Sequence, residues 1–157
     1  MIKMTRIDHR LLHGQVAFTW IKYTGSDCIL IANDAVARDE LRMAALRLAK
    51  PEGTKLVIKS VADSIKAINS GVTDKYKLFV ITENIHDACQ LAKAADAIDQ
   101  VDVGGVKAEE GKRKVSEAVF VSDEEADELR ELVSLGKHVF AQMTPTDQPH
   151  DIIDLLG

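Results

Sequence analysis

Short, uninterrupted apolar runs alternate along this chain with longer stretches whose apolar residues recur every three or four positions. Residues 28–32 (CILIA), 55–59 (KLVIK) and 77–82 (KLFVIT) are of the first kind. Apolar runs of this length, without alternation, predict strands buried on both faces. Residues 1–8, 98–103, 117–121 and 138–143 read as further strands, the first of them ending at Asp8. The periodic stretches between them predict helices. One spans 15–24, with Val16, Trp20 and Tyr23 on one face and Gly25 as its stop; another spans 35–49, with Leu41, Ala45 and Leu48 in register and Pro51 just beyond. A third carries Val61, Ile65 and Ile68 behind a Ser60/Asp63 start and closes at Gly71. A fourth, capped by Asn84, carries Ile85, Cys89 and Ala92. Ser122 and Glu125 form a capping box for a fifth, with Leu129, Leu132 and Val133 inward and Gly136 at its end. The tail from Pro145 has room for one short helical turn.

Strand–helix alternation over most of the chain predicts a single α/β domain: an open, doubly wound, mostly parallel sheet of about seven strands with helices on both faces. Ligands of such sheets bind beyond the carboxyl ends of the strands. That selects segments 8–14, 33–34, 59–60, 82–84 and 104–112 as places to look for chemistry.

Composition narrows the classes. At 157 residues the chain is long enough to bury about two-thirds of its unfolded surface, so no disulfide or metal staple is needed. A net charge of -5 argues against a dedicated nucleic-acid binder, which carries a basic excess. Cys28 and Cys89 have neither CxxC nor zinc-finger spacing. No apolar run approaches the ~18 residues of a membrane span, and the start Met1–Arg6 lacks a signal-peptide core. The expectation is a protein of the cytoplasm whose membrane role, if any, runs through a partner.

The first βα loop, Arg6-Ile7-Asp8-His9-Arg10-Leu11-Leu12-His13-Gly14-Gln15, concentrates the reactive side chains. His9 and His13 are spaced as in an HExxH zinc helix, but Arg10 stands where the glutamate belongs and Gly14 interrupts the helix, so no metal is expected. For His86, His138 and His150 a surface or hydrogen-bonding role suffices. A neutral imidazole, with a reference pKa of ~6.5, can attack a phosphoryl group and hold it covalently. The step needs an uncapped ring nitrogen, donors for three equatorial oxygens, and positive charge. His13, Arg10 and the backbone N–H groups around Gly14 and Gln15 supply these, the helix N-terminus adding its own partial positive charge. A unit charge at ~4 Å is worth about 4 kcal/mol near a protein surface, enough to change a rate by orders of magnitude. Asp8 is placed to hold Arg10 or the loop backbone. Walker and GxGxxG phosphate loops are absent, and Gly104-Gly105 alone reads most simply as a tight turn. Asp34, after Asn33, reads as a helix cap.

The run Arg6-Ile7-Asp8-x-Arg10-Leu11-Leu12-His13-Gly14-Gln15-Val16, with Trp20 after it, resembles the enzyme IIB component of the mannose/fructose/sorbose-type sugar phosphotransferase system. The resemblance continues through Asn33-Asp34, Val103-Gly104-Gly105, Glu110-Gly111-Lys112 and Pro145-Thr146-Asp147, and so spans essentially the whole chain. It implies a phosphohistidine–sugar phosphotransferase in which His13 takes a phosphoryl group from a partner IIA protein or domain. His13 then passes it to a sugar entering through membrane components IIC and IID. No cofactor is implied. Arg10 and the loop amides would stabilise the phosphoryl group; Asp8, Gly14, Gln15 and Arg6 would order the loop; His9, Asp34, Gly104 and Gly105 would line an adjoining pocket. Position 9 is His where many members carry Asp or another polar residue, and position 102 is Asp where Asn often stands. A homo-oligomer is compatible with all of this. A receiver domain phosphorylated on aspartate lacks its acceptor here, because the third strand ends at Lys59-Ser60. The remaining alternative is a non-catalytic anion-binding or phospho-signalling module of the same α/β class.

Overall fold

Of the three strands that read as apolar runs, 28–32 and 77–82 lie inside the sheet and are fully buried, whereas 55–59 forms its edge. A computed structural model describes residues 1–157. Its parallel strands are β1 (Ile2–Asp8), β2 (Cys28–Ala32), β3 (Lys55–Lys59), β4 (Leu78–Thr82), β5 (Gln100–Gly105) and β8 (His138–Ala141). A two-residue β9 (His150–Asp151) joins β8 antiparallel, so the order across the seven-stranded sheet is β3-β2-β4-β1-β5-β8-β9. The helices are α1 (Gly14–Thr24), α2 (Glu40–Ala49), α3 (Val61–Asn69), α4 (Ile85–Ala94), α5 (Asp123–Ser134) and α6 (Ile152–Leu156).

Alternation along each strand sorts its side chains between two cores. Cys28, Leu30 and Ala32 of β2, with Leu78 and Val80 of β4, face the larger cluster beneath α3, α4, α5 and α6. Ile29 and Ile31, with Phe79 and Ile81, face the smaller cluster beneath α1 and α2, where Trp20 and Ile21 pack. β1 lies near the centre of the sheet, with β4 on one side and β5 on the other, so the loop leaving Asp8 opens in the middle of the carboxyl edge.

Several expectations need correction. The stretch 117–121 is not a strand of the main sheet. Its core, β7 (Val119–Val121), pairs antiparallel with β6 (Arg113–Ser116) in a separate ribbon, and the seventh place in the sheet is taken by β9. The 35–49 helix is broken: Asn33 Oδ1 accepts from Val36 N–H and starts a short 3-10 turn, Val36–Arg38, before Asp39 caps α2 by accepting from Arg42 N–H. On α2, Leu41 and Leu48 are 83% and 89% exposed, and Met43 and Leu46 turn to the sheet instead. Tyr23 is likewise exposed, the buried face of α1 being Ala17, Trp20 and Ile21. Gly104 and Gly105 lie within β5 and form no tight turn. The short turn expected in the tail is α6, whose Ile152 and Leu156 are buried.

Candidate functional site

Two leucines shape the loop between β1 and α1. Leu11 and Leu12 are buried in the cluster of Trp20, Ile31 and Val36, which leaves Arg10 and His13 facing solvent on either side of them. Asp8 C=O accepts from Leu11 N–H at 2.8 Å, and Leu11 is held at φ 57°. A non-glycine residue in that left-handed region stores of order 1 kcal/mol, which the burial of its side chain offsets. His13 then occupies the N-cap position of α1 in an extended conformation, φ -141° and ψ 119°, and Gly14 opens the helix at φ 59°. Only glycine takes that angle without cost.

The start of α1 is unlike that of the other helices. The α2, α3, α4, α5 and α6 caps are Asp39, Ser60, Asn84, Ser122 and Asp151, each accepting from a backbone N–H, and each of those helices has an acidic residue in its first turn. At α1 the cap residue is His13, which makes no side-chain capping bond, and the first turn holds no acid. The orphan N–H groups and the positive end of the helix dipole are left uncompensated beside an exposed imidazole.

Asp8 organises the loop from below. Its buried Oδ1 accepts from Arg10 N–H at 3.0 Å and lies 3.6 Å from Arg10 Nε, while the Arg10 side chain remains 45% exposed. Asp8 Oδ2 is 3.9 Å from Arg6 Nη2. Arg6 itself is buried: it pairs with Asp102 through Nη1 and donates to Gln142 C=O at 2.7 Å and Met143 C=O at 3.1 Å. Gly104 makes that possible, because a Cβ there would collide with the Arg6 guanidinium. Burial pushes the Asp102 carboxyl up to about 7, against the pull of Arg6.

The residues expected in an adjoining pocket separate. His9 donates its backbone N–H to Gly105 C=O at 3.0 Å and helps line a cavity of about 410 Å³ with Arg42, Glu83, Asn84, Lys107 and Lys112. Its Nδ1 is buried without a hydrogen-bond partner. Gly105 pairs with Asp8 in the sheet, and a Cβ on it would reach to 3.4 Å from Asp8 Oδ1. Asp34 belongs elsewhere: its Oδ1 accepts from Val61 N–H at 2.8 Å and closes the start of α3. Gln15 is exposed in the first turn of α1 and adds no side-chain hydrogen bond to the loop. What the sequence reading missed is the set of groups that hold Arg6, namely Asp102 and the Gln142 and Met143 carbonyls. The available signal was a charged residue, Asp102, between the apolar Val101 and Val103 of a strand.

Other reactive groups are unsuited to covalent chemistry. Burial raises both thiols, that of Cys89 to about 12, so neither is a thiolate at neutral pH. No group of three or more His, Cys, Asp or Glu side chains is placed to hold a metal ion, and no helix is long and apolar enough to cross a membrane.

Residues 2–157 match the family described as the sorbose subfamily IIB component of the PTS, the phosphotransferase system. The chain belongs to this family. It is 37% identical over 153 residues to a probable phosphotransferase enzyme IIB component of Streptococcus pyogenes, covering 94% of each chain. The crystal structure of the IIBSor domain of the sorbose permease of Klebsiella pneumoniae superposes with a TM-score of 0.94 at 29% identity, over 99% of this chain and 96% of that one. The mannose-specific EIIAB component of Escherichia coli is 30% identical over 157 residues, and there this chain corresponds to 49% of the longer protein. IIB components are phosphotransferases of sugar transport, and the loop from Asp8 to Gln15 lies inside the matched region. Among the five histidines of this IIB chain, His13 alone occupies the N-cap position of a helix. His86 Nδ1 pairs with Glu128 Oε2 at 3.1 Å, and His138 stacks on Phe140 with ring centroids 4.8 Å apart. His150 sits exposed in β9.

Proposed function

We propose that this IIB component relays a phosphoryl group through His13. The observation that carries the reading is the start of α1: an exposed imidazole with no intramolecular bond, at the one α-helix N-terminus that has neither an acid nor a side-chain cap. In the first step a ring nitrogen of neutral His13 attacks the phosphorus of a phosphohistidine on IIA. The N–P bond to IIA breaks as the N–P bond to His13 forms, and the IIA imidazole departs as the leaving group. In the second, a sugar hydroxyl attacks. Its O–P bond forms, the His13 N–P bond breaks, and the hydroxyl proton passes, directly or through solvent, to the freed His13 imidazole. Both steps gather negative charge on the equatorial oxygens, which the N–H groups around Gly14 and Gln15 and the guanidinium of Arg10 offset. Asp8 fixes the Arg10 backbone and so sets where that guanidinium reaches.

The donor is a IIA protein or domain, a reading supported by the relative named as a fused EIIAB component. The acceptor is a sugar presented by membrane components IIC and IID, to which the choice of sugar falls. On this reading the chain works in the cytoplasm and meets the inner face of the membrane only through them, without a metal or organic cofactor.

Incubation with phosphorylated IIA, followed by mass mapping, tests the assignment. The expected result is one phosphoryl group on His13, labile to acid and stable to alkali, absent from His13→Ala and retained by His9→Ala. Loss in His9→Ala with retention in His13→Ala reverses the assignment. Reversible phosphate binding with no covalent adduct replaces the relay by a plain anion-binding module.

A further inference from the structure

Two hydrogen bonds end on one carbonyl. Met143 C=O accepts from the Trp20 indole Nε1–H at 2.9 Å and from Arg6 Nη2 at 3.1 Å. Arg6 also holds Gln142 C=O, and Asp102, which pairs with Arg6, accepts from Gln142 N–H at 2.9 Å. The guanidinium sits over the Trp20 ring, 5.3 Å from its centroid. Arg6 and Asp102 are 4% and 0% exposed. Burying such a pair is costly, and replacing it by apolar side chains often leaves a protein as stable or more so. Stability alone therefore does not account for its presence.

What the pair does is close a ring. β1 carries Arg6, Arg6 holds Met143, Met143 holds Trp20 in α1, and the chain runs back from α1 through His13, Arg10 and Asp8 into β1. Apolar contacts keep α1 against the sheet but set no direction along it. Hydrogen bonds do, since they weaken steeply once misaligned. A displacement of ~1 Å in a reacting group can cost ~100-fold in rate.

We propose that Arg6 and Trp20, joined through the Met143 carbonyl and braced by Asp102, are positioning residues that fix the first turn of α1, and with it His13, for phosphoryl transfer. The inference rests on His13 being the acceptor. Gly104 belongs to the same device, since the absence of its side chain makes room for the Arg6 guanidinium beside β5.

The test is the rate of phosphoryl uptake from phosphorylated IIA by Trp20→Phe and Asp102→Asn, with His13 mapped in each. Trp20→Phe keeps an aromatic ring but donates nothing to Met143. Asp102→Asn keeps an acceptor for Gln142 N–H but lacks the charge that faces Arg6 above about pH 7, where the rates are compared. Phe140→Leu, in the same buried cluster and outside the hydrogen-bonded ring, is the control for loosened packing. The expected result is a loss of about tenfold in kcat for each of the first two, with KM for phosphorylated IIA within about twofold of wild type and no loss of kcat in the control. The double variant should be little worse than the poorer single one, because both changes open the same ring. Wild-type kcat in Trp20→Phe, a loss confined to KM, or an equal loss in Phe140→Leu overturns the proposal. Trp20→Phe decides alone if Asp102→Asn melts below the assay temperature. Phosphate mapped to a residue other than His13 in wild type overturns the relay reading itself, whereas normal kcat with His13 still modified removes only the brace.

Discussion

A carboxylate in the middle of an apolar strand is where the chain departs furthest from what its pattern predicts. Asp102 is fully buried, and desolvation raises its carboxyl to about 7 although Arg6 opposes the shift. In the unfolded chain the same group titrates near ~3.9. Between those values the folded protein keeps a proton that the unfolded chain has released. Stability from this group is therefore full below pH ~4 and is lost as the pH rises through about 7. Asp102→Asn lacks the titration. Urea unfolding of both proteins from pH 5 to 8 should show wild type losing stability relative to the variant, at up to about 1 kcal/mol per pH unit. Parallel pH dependences refute the shift. The sequence displayed this residue without its partner, because the partner is Arg6, 96 positions away and on a neighbouring strand. The structural place of His13, at the start of α1, was legible for the opposite reason. Its setting is local: a strand end, a glycine at the helix start and an arginine three residues earlier all lie within one loop.

At the scale of elements, caps were read well and faces less so. Ser60, Asn84 and Ser122 bond where their sequence contexts place them, Ser122 with the full capping box. A cap is decided by a side chain and a backbone N–H a few residues away, so nearby sequence suffices. The buried face of a helix depends on what lies opposite. α2 has two apolar stripes, Leu41-Ala45-Leu48 and Met43-Leu46-Ala49, and both satisfy helical spacing. The helix lies over β2 and the sheet-edge strand β3, the side toward Met43 and Leu46 meets them, and the other stripe is left outside. Leu41→Lys and Leu48→Lys should each change stability by less than about 0.5 kcal/mol. Leu129→Ala, at a fully buried position of α5, should cost about 2–5 kcal/mol. Urea midpoints compare them directly. A cost at Leu41 or Leu48 similar to that at Leu129 would place the wrong stripe against the sheet.

For the whole molecule, the doubly wound class followed from strand–helix alternation, whereas the closure of the sheet did not. Parallel strands on one side of β1 end at β3. On the other side β8 would remain an open edge, and the chain covers it with β9, two residues long and antiparallel. No propensity marks two residues as a strand; what holds them is the helix that follows. Ile152 and Leu156 are buried in the larger core, and Leu156 C=O accepts from Arg113 of the β6–β7 ribbon at 3.1 Å. The last turn of the chain thus ties the edge of the sheet to the ribbon. Each of the two side chains contributes about 1.5–3 kcal/mol by burial, a large share of the ~5–15 kcal/mol that holds a domain folded. Ile152→Ala with Leu156→Ala should lower the melting temperature by roughly 10 °C, with amide exchange accelerating in β8 and β9. The same double variant should still accept phosphate on His13 below its melting point, because the bonds from Arg6 and Trp20 to Met143 end before β9 begins. A melting temperature within about 2 °C of wild type would mean that the terminal helix lies outside the cooperative core.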